Sequence, residues 1–340
     1  LVKRLSILRF AIMLKAREWM PAPVDQPQLS VVAPCYDEAE VIATFYQALK
    51  NTLQTVAYTY EIVFVDDGST DETLAILNQL AERDPHVRVL SLTRNFGHQI
   101  ALTAGLDYAC GRNVLVMDSD LQHPPELIPQ MLRELETGVD VVYAVRQETD
   151  QGGLLKRLTS KWFYQMMNQF GATWLVPSAA DFRLMSERAT NSLRAMRERH
   201  RFLRGMVSWT GYPSRAISFH PNPRFAGRSK YSWIKMFRLA FDAAFSFSIL
   251  PLRVMTILGL LMIALGLAYL AYILAELVLL PDRVQPGWPS LLASLLILSG
   301  VQLLSLGVIA TYVGMIFEQV KDRPLYFLKQ TPRAHEDQTS

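Results

Sequence analysis

Asn113-Val-Leu-Val-Met-Asp-Ser-Asp-Leu-Gln-His-Pro-Pro-Glu126 is the stretch whose reading decides the rest of the chain. Val114 to Met117 read as a short buried strand, with Asp118, Ser119 and Asp120 just past its C-terminal end. Pro124 and Pro125 then open an amphipathic helix over residues 126–137, and Pro125 suits a first helical position. Two carboxylates one residue apart at a strand end are a good place for a hard divalent cation. Magnesium and manganese prefer oxygen ligands and are shared between one or two carboxylates and substrate phosphates. The triplet also reads as a solvated turn, and alone it does not choose between the two.

Outward from this stretch the same pattern recurs. Residues 29–33 read as a strand closed by Pro34-Cys-Tyr-Asp-Glu38 and followed by a helix to about residue 56. Residues 61–65 form a second, ending in Asp66-Asp-Gly-Ser-Thr-Asp71 before a helix over 72–84. Residues 87–92 form a third, followed by Thr93-Arg-Asn-Phe-Gly97 and a helix to Tyr108; residues 140–144 form a fifth, ending at Val145-Arg146. Alternation at this length predicts an α/β fold with a mostly parallel sheet covered on both faces. Ligands of such sheets bind beyond the carboxyl ends of the strands, near a topological switch. Every polar cluster just named falls at that end, although the run from Asp67 to Asp71 also reads as a tight turn capping a helix.

The 340 residues leave room for one or two domains, and 50% are hydrophobic. The apolar excess lies late. Residues 254–275 and 288–317 carry no charge, and each run exceeds the ~20 residues that cross a bilayer's hydrocarbon core. Two transmembrane helices are therefore expected. Arg228, Lys230, Lys235, Arg238 and Arg253 precede them and Lys321, Arg323, Lys329 and Arg333 follow, whereas the loop between holds only Arg283 beside Asp282. Positive flanks stay inside, which puts both termini in the cytoplasm of a multi-pass inner-membrane protein. A net charge of +3 makes no case for nucleic acid; the basic residues gather where an anionic membrane surface would meet them. Cys35 and Cys110 show no metal or redox spacing and read as reduced packing residues.

The organisation expected is an amphipathic segment and linker over 1–28, a catalytic domain over 29–228, juxtamembrane helices over 229–252, two spans over 253–318 and a cytoplasmic tail over 319–340. Trp233, Lys235, Phe237, Arg238 and Phe241 suit a helix lying in the membrane interface, or a core helix packed on the sheet. Ser299, Gly300, Gly307 and Gly314 permit close helix packing and hence a homo-oligomer.

Taken together, Val32-Ala-Pro-Cys-Tyr-Asp-Glu38, Val65-Asp-Asp-Gly-Ser-Thr-Asp71 and Asp118-Ser-Asp-Leu-Gln-His-Pro-Pro-Glu126 resemble the signature blocks of inverting family 2 glycosyltransferases with the GT-A, Rossmann-like fold. Arg94-Asn-Phe-Gly97, Asp181-Phe-Arg183, Arg201-Phe-Leu-Arg-Gly205 and Arg224-Phe-Ala-Gly-Arg-Ser-Lys-Tyr231 narrow the resemblance. It is to the polyprenyl-phosphate sugar transferases, which include dolichol-phosphate mannose synthases and bactoprenol glucosyltransferases. The resemblance covers about residues 29–317. It departs at His98, where related chains often carry Lys, and at Arg228, where an acidic residue is common.

The resemblance implies a nucleotide-sugar donor, with Pro34, Tyr36, Glu38, Val65, Asp67, Asp118 and Ser119 lining its pocket. It implies Mg2+ or Mn2+ on Asp120 and Gln122, with Asp118 nearer the ribose or a metal-bound water. Arg224 and Lys230 would close over the diphosphate, or else form a juxtamembrane basic cluster. Arg146, Arg183, Arg201 and Arg204 are candidates for an acceptor-phosphate cradle, because guanidinium forks grip phosphate oxygens in pairs. Asp181 is a base, an orienting group or half of a structural ion pair. The expected reaction moves a hexose, UDP-glucose being the first donor to try, onto undecaprenyl phosphate. GDP-mannose and UDP-aminoarabinose donors are alternatives, as is a non-catalytic membrane scaffold or flippase partner. A processive polysaccharide synthase is disfavoured, because no Arg-Trp pair occurs and two spans do not line a pore.

Overall fold

A computed structural model describes residues 26–146, 179–220, 250–279 and 287–329. These fall into two compact units, one holding the sheet together with 324–329, the other holding two long helices.

In the first unit the strands are β1 (Leu29–Cys35), β2 (Tyr60–Asp66), β3 (Val87–Ser91), β4 (Asn113–Val116), β5 (Val141–Arg146), β6 (Ala179–Met185) and β7 (Ser214–Phe219). The helices between them are α1 (Ile42–Leu53), α2 (Thr73–Arg83), α3 (His98–Tyr108), α4 (Ile128–Glu136), α5 (Glu187–Ala195) and α6 (Leu203–Trp209). The sheet runs β3-β2-β1-β4-β6-β5-β7. β1 is buried along its whole length, as a strand covered on both faces must be. The edge strand β7 instead alternates exposed and buried residues toward its end.

The mostly parallel α/β sheet expected from the alternation is what forms, with one insertion the alternation did not show. β6 lies antiparallel between β4 and β5, with Val116 opposite Arg183 and Tyr143 opposite Arg183 on its other side. Its first residues therefore meet the carboxyl ends of β4 and β5. The order reverses at β1, which pairs with β2 on one side and β4 on the other, so the switch point lies between β1 and β4.

Local chemistry explains the elements that matter here. The helix expected over 126–137 begins as a single 3-10 turn at Pro125–Leu127 and becomes α4 from Ile128. Ile128, Met131 and Leu132 are buried and Leu135 packs beside them, the i, i+3, i+4, i+7 stripe of an amphipathic helix. Ser186 caps α5, accepting from the Ala189 N–H at 3.2 Å while donating to Asp140 at 2.7 Å. α3 lies close on β1: a Cβ at Gly105 would stand 2.2 Å from Val32 Cγ1. Both cysteines are free, and Cys35 is buried.

The second unit contains α7 (Leu250–Leu279) and α8 (Trp288–Lys321), which touch where Ser305 Oγ stands 3.8 Å from Met255 Sδ. Ile257 and Leu260 on α7 and Leu291, Leu303 and Val320 on α8 are exposed. Among the described residues, one stretch is long and apolar enough to cross a membrane, Ile297–Lys321 on α8. The apolar run on α7 is the shorter Val254–Tyr269. Of the two spans expected, one meets that test of length and composition.

Candidate active site

The loops after β1 and β2 are sewn together by their own short polar side chains. The Asp37 N–H donates to Ser69 Oγ at 3.1 Å, and the Thr70 N–H to Asp37 Oδ1 at 2.8 Å. The Glu38 N–H donates to Thr73 Oγ1 at 2.8 Å and the Ala39 N–H to Asp71 at 3.2 Å. Asp37 sits at φ +51°, a left-handed conformation that Asp and Asn tolerate better than most residues. The lacing fixes the wall on which Tyr36 and Glu38, both half-buried, stand.

Asp67 is buried, and its two oxygens accept the backbone N–H groups of Phe96 at 2.7 Å and Gly97 at 2.9 Å. Burial raises its pKa, and those two hydrogen bonds work against the rise. Gly68, at φ +70°, lies against the same loop. A Cβ there would stand 2.5 Å from the Arg94 carbonyl carbon, so no other residue fits. The Asp67-Gly68 pair therefore shapes the Arg94–Gly97 loop, while Asp71 at the end of the same run accepts the Thr73 N–H at the start of α2 at 3.0 Å.

At the switch point, Ser119 Oγ donates to the Pro34 carbonyl at 2.9 Å and ties the loop after β4 to that after β1. The Gln122 N–H donates to Asp120 Oδ1 at 3.1 Å, closing a turn in which Leu121 is held at φ +60°. A bulky residue there costs about 1–3 kcal/mol. Leu121 stays there packed against the core.

Asp118 Oδ1 makes no hydrogen bond although it is shielded from solvent, and His98 Nε2 stands 3.4 Å from it. Burial pushes the Asp118 carboxyl up to about 6, His98 opposing the rise and Asp181 and Asp120 adding to it. Asp118, Asp120 and Gln122, the residues expected to hold a cation, carry oxygen donors of the kind Mg2+ and Mn2+ take. Among the described residues no group of three or more His, Cys, Asp or Glu side chains is placed to hold a metal ion.

Two histidines without an assigned role in the sequence reading join this site. His123 is fully buried, stacked on Phe182 at 5.2 Å between ring centroids and edge-on to Phe219 at 5.9 Å. Its Nδ1 stands 3.2 Å from the Asp118 backbone nitrogen and its Nε2 3.5 Å from Arg146 Nη2. Burial and the Arg146 charge lower its pKa to about 3, so it is neutral. His98, exposed at the start of α3, reaches both Asp118 and Asp181, the latter at 3.7 Å. Although 43% of its side chain stays exposed, the protein crowded around the ring opposes its protonation, and the Asp181 and Asp118 carboxylates outweigh that and raise the pKa. The signal for both lay in the quoted blocks: His123 follows Gln122, and His98 replaces a common Lys.

Asp181, at the start of β6, is the hub. Arg204 grips it with both Nε and Nη2, at 3.0 and 2.9 Å, and Arg183 forms a close buried ion pair with it. Burial alone would raise its pKa; Arg204, His98 and Arg183 hold it well below the usual carboxylate range. Arg183 is 2% exposed, with Nε and Nη1 unpartnered. Arg201 lies elsewhere: its guanidinium donates to the carbonyls of Leu193 and Met196 and ties off the end of α5. Val65 is wholly in the core. Arg224 and Lys230, with most of the expected juxtamembrane helix, lie outside the described residues.

A family model for Glycosyl transferase family 2 matches residues 30–193. An uncharacterized glycosyltransferase of Synechocystis sp. is 40% identical over 301 residues, 88% of this chain and 94% of that protein. The bactoprenol glucosyl transferase of Shigella phage SfII is 39% identical over 308 residues, 91% of this chain and 99% of that one. The prophage bactoprenol glucosyl transferase homolog of Escherichia coli is 37% identical over 306 residues, 90% and 100% of the two chains. Among solved structures, glucosyl-3-phosphoglycerate synthase from Mycobacterium tuberculosis aligns at a TM-score of 0.45 and 18% identity, over 68% of this chain and 80% of that one. So loose a likeness carries no weight for ligand or mechanism. A family model over residues 30–193 and relatives matched over nearly their whole length place the chain in glycosyl transferase family 2, and it is a glycosyltransferase.

Proposed function

We propose that the chain transfers a hexose, with inversion, from a nucleotide sugar to a polyprenyl phosphate at a membrane surface. The observation that carries this reading is the state of Asp181. A hydroxyl acceptor needs a general base poised near the working pH. The carboxylate beside Asp118 and His98 is instead gripped by two guanidinium groups and held far from that range. A phosphate acceptor is already anionic near neutral pH, its second pKa lying near ~6 by analogy with phosphorylated side chains. It needs to be held and aimed, not deprotonated. In this reading Asp181 orients Arg204 and His98, and the phosphate oxygen attacks the anomeric carbon in a single displacement.

Tyr36 packs on the base and Glu38 meets ribose hydroxyls, while the buried Pro34 and Val65 back that wall from within the core. Asp67 acts by holding the Arg94–Gly97 loop. Asp118, Asp120 and Gln122 would hold Mg2+ or Mn2+, which when bound neutralises charge on the departing diphosphate. Arg224 and Lys230 would close on the same diphosphate. Arg146 and Arg204 are the residues proposed to meet the acceptor phosphate, with Arg183 behind them; Arg201, tied to α5, is left out of the cradle. The neutral His123 sets the backbone of Asp118 and leaves Arg146 its full charge.

UDP-glucose and undecaprenyl phosphate are the proposed substrates; the names of the relatives above support a glucosyl group and a bactoprenol acceptor, and the choice of UDP rests on the resemblance of the motif blocks. The spans over 253–318 are proposed to anchor residues 29–228 on the cytoplasmic face, with tail 319–340 on the same side, and homo-oligomers through the small-residue face of α8. Purified protein given undecaprenyl phosphate, Mn2+ or Mg2+ and a panel of labelled nucleotide sugars tests this. One donor should yield a charged glycolipid, and chelator should abolish it. A protein that glycosylates no lipid phosphate with any donor would be a scaffold.

A further inference from the structure

Just past α8 the chain returns to the sheet. Leu328 pairs antiparallel with Leu92, the Thr93 N–H donates to the Phe327 carbonyl at 2.9 Å, and the Lys329 N–H donates to the Ser91 carbonyl at 2.8 Å. β3 is an edge strand, so these residues use backbone groups that the sheet itself leaves unpaired. Two residues earlier, Tyr326 Oη donates to Asp107 Oδ2 at 2.9 Å, and its ring lies edge-on to Tyr108. Asp107 is held from its other side by Arg197 Nη1, at 2.8 and 2.9 Å from its two oxygens. Arg199 adds a longer hydrogen bond, 3.4 Å, to the Pro324 carbonyl.

What lies between these two anchor points gives the contact its meaning. Thr93 is the residue before Arg94–Gly97, and Asp107 is near the end of α3, the helix that begins at His98. The segment 93–108 is thus gripped by the tail at both ends and by Asp67 and Gly68 in the middle. Thr93, Arg94 and Asn95 are exposed. We propose that residues 324–329 are a positioning strap for the donor site. Lys329 through its backbone and Tyr326 through Asp107 fix the Arg94–Gly97 loop and the start of α3, and so set the affinity for the nucleoside diphosphate part of the donor. The strap's role in donor binding rests on the nucleotide-sugar reading above; its hold on the loop does not.

The test uses the full chain in detergent or nanodiscs. Lys329→Pro removes the N–H that reaches Ser91, Lys329→Ala keeps it, and Tyr326→Phe removes only the hydroxyl. One backbone hydrogen bond corresponds to about a fivefold change in an opening equilibrium. Lys329→Pro should therefore speed amide exchange in 93–98 about fivefold, weaken UDP binding and raise KM for the nucleotide sugar, with kcat little changed. Tyr326→Phe should do the same more mildly, and Lys329→Ala should match the parent. Unchanged exchange at 93–98 in both Lys329→Pro and Tyr326→Phe would overturn the strap. So would a loosened loop with unchanged UDP affinity and KM. A parent that binds no nucleotide would refute the donor-site reading and the positioning role with it, while exchange would still decide whether the tail holds the loop.

Discussion

At the scale of single residues, the consequences concentrate on Asp181 and its neighbours. Asp181→Asn leaves the Arg183 guanidinium buried without its counter-charge, and breaking such a pair costs about 3–5 kcal/mol. Thermal unfolding should show that loss, and Asp181→Asn combined with Arg183→Met should recover most of the stability while leaving glycolipid synthesis impaired. A pair that served only folding would regain activity along with stability. Gly68→Ala should cost about 1–3 kcal/mol and raise KM for the donor, because the new methyl displaces the Arg94 backbone. Asp84 gives a pH signature away from the site. It accepts from Tyr46 at 2.6 Å and from Lys50 at 2.8 Å and, although burial opposes it, its pKa is lowered to about 2. Its folded pKa lies below its unfolded one, so the stabilisation is fully present above about pH 4 and is lost as pH falls toward 2. Acid unfolding of Asp84→Asn should show a smaller stability loss across that window than the parent, from a start about 2 kcal/mol lower. Little of this was legible beforehand. Asp181, Arg183 and Arg204 were candidates by motif, but their mutual pairing joins β6 to α6, and sequence spacing does not say which guanidinium meets which carboxylate. Arg201 and Arg204 stood three residues apart with the same expectation; one faces the helix end behind it, the other the site.

At the scale of elements, the parallel strands announced themselves through short apolar runs ending in Asp, Gly and Ser, a local signal. β6 did not. It pairs antiparallel with strands whose partners lie far off in sequence, and Ala179–Met185 is too short to be separated from a helix fragment by periodicity. Its insertion matters, since only an antiparallel strand brings its first residues to the rim where parallel strands end. The loop after β4 makes the prediction at this scale. Asp120→Ala should lose metal-dependent activity by more than tenfold while unfolding at nearly the parent temperature, because Asp120 is half-buried and, among the described residues, bonds only the Gln122 N–H of its own turn. Mn2+ titration followed by calorimetry would check it; a variant with parental metal affinity would remove Asp120 from the donor set.

For the whole molecule, the prediction is topological. A cysteine introduced at Asp282 should react with an impermeant thiol reagent from the face opposite the one that exposes residues of the sheet. Labelling from the same face would reduce the anchor to a hairpin that does not cross. The sequence by itself determined the α/β class, the rim on which the polar blocks gather, and the apolar character of the late helices. Those properties follow from local periodicity and from the chemistry of turns, which neighbours in the chain decide among themselves. Only the tertiary structure decided that Asp181 is clamped rather than poised, that His123 is neutral, and that the tail completes the edge of β3. Each depends on which distant groups share a small, poorly solvated space, and there the balance of burial against charge is set by neighbours the local pattern does not name.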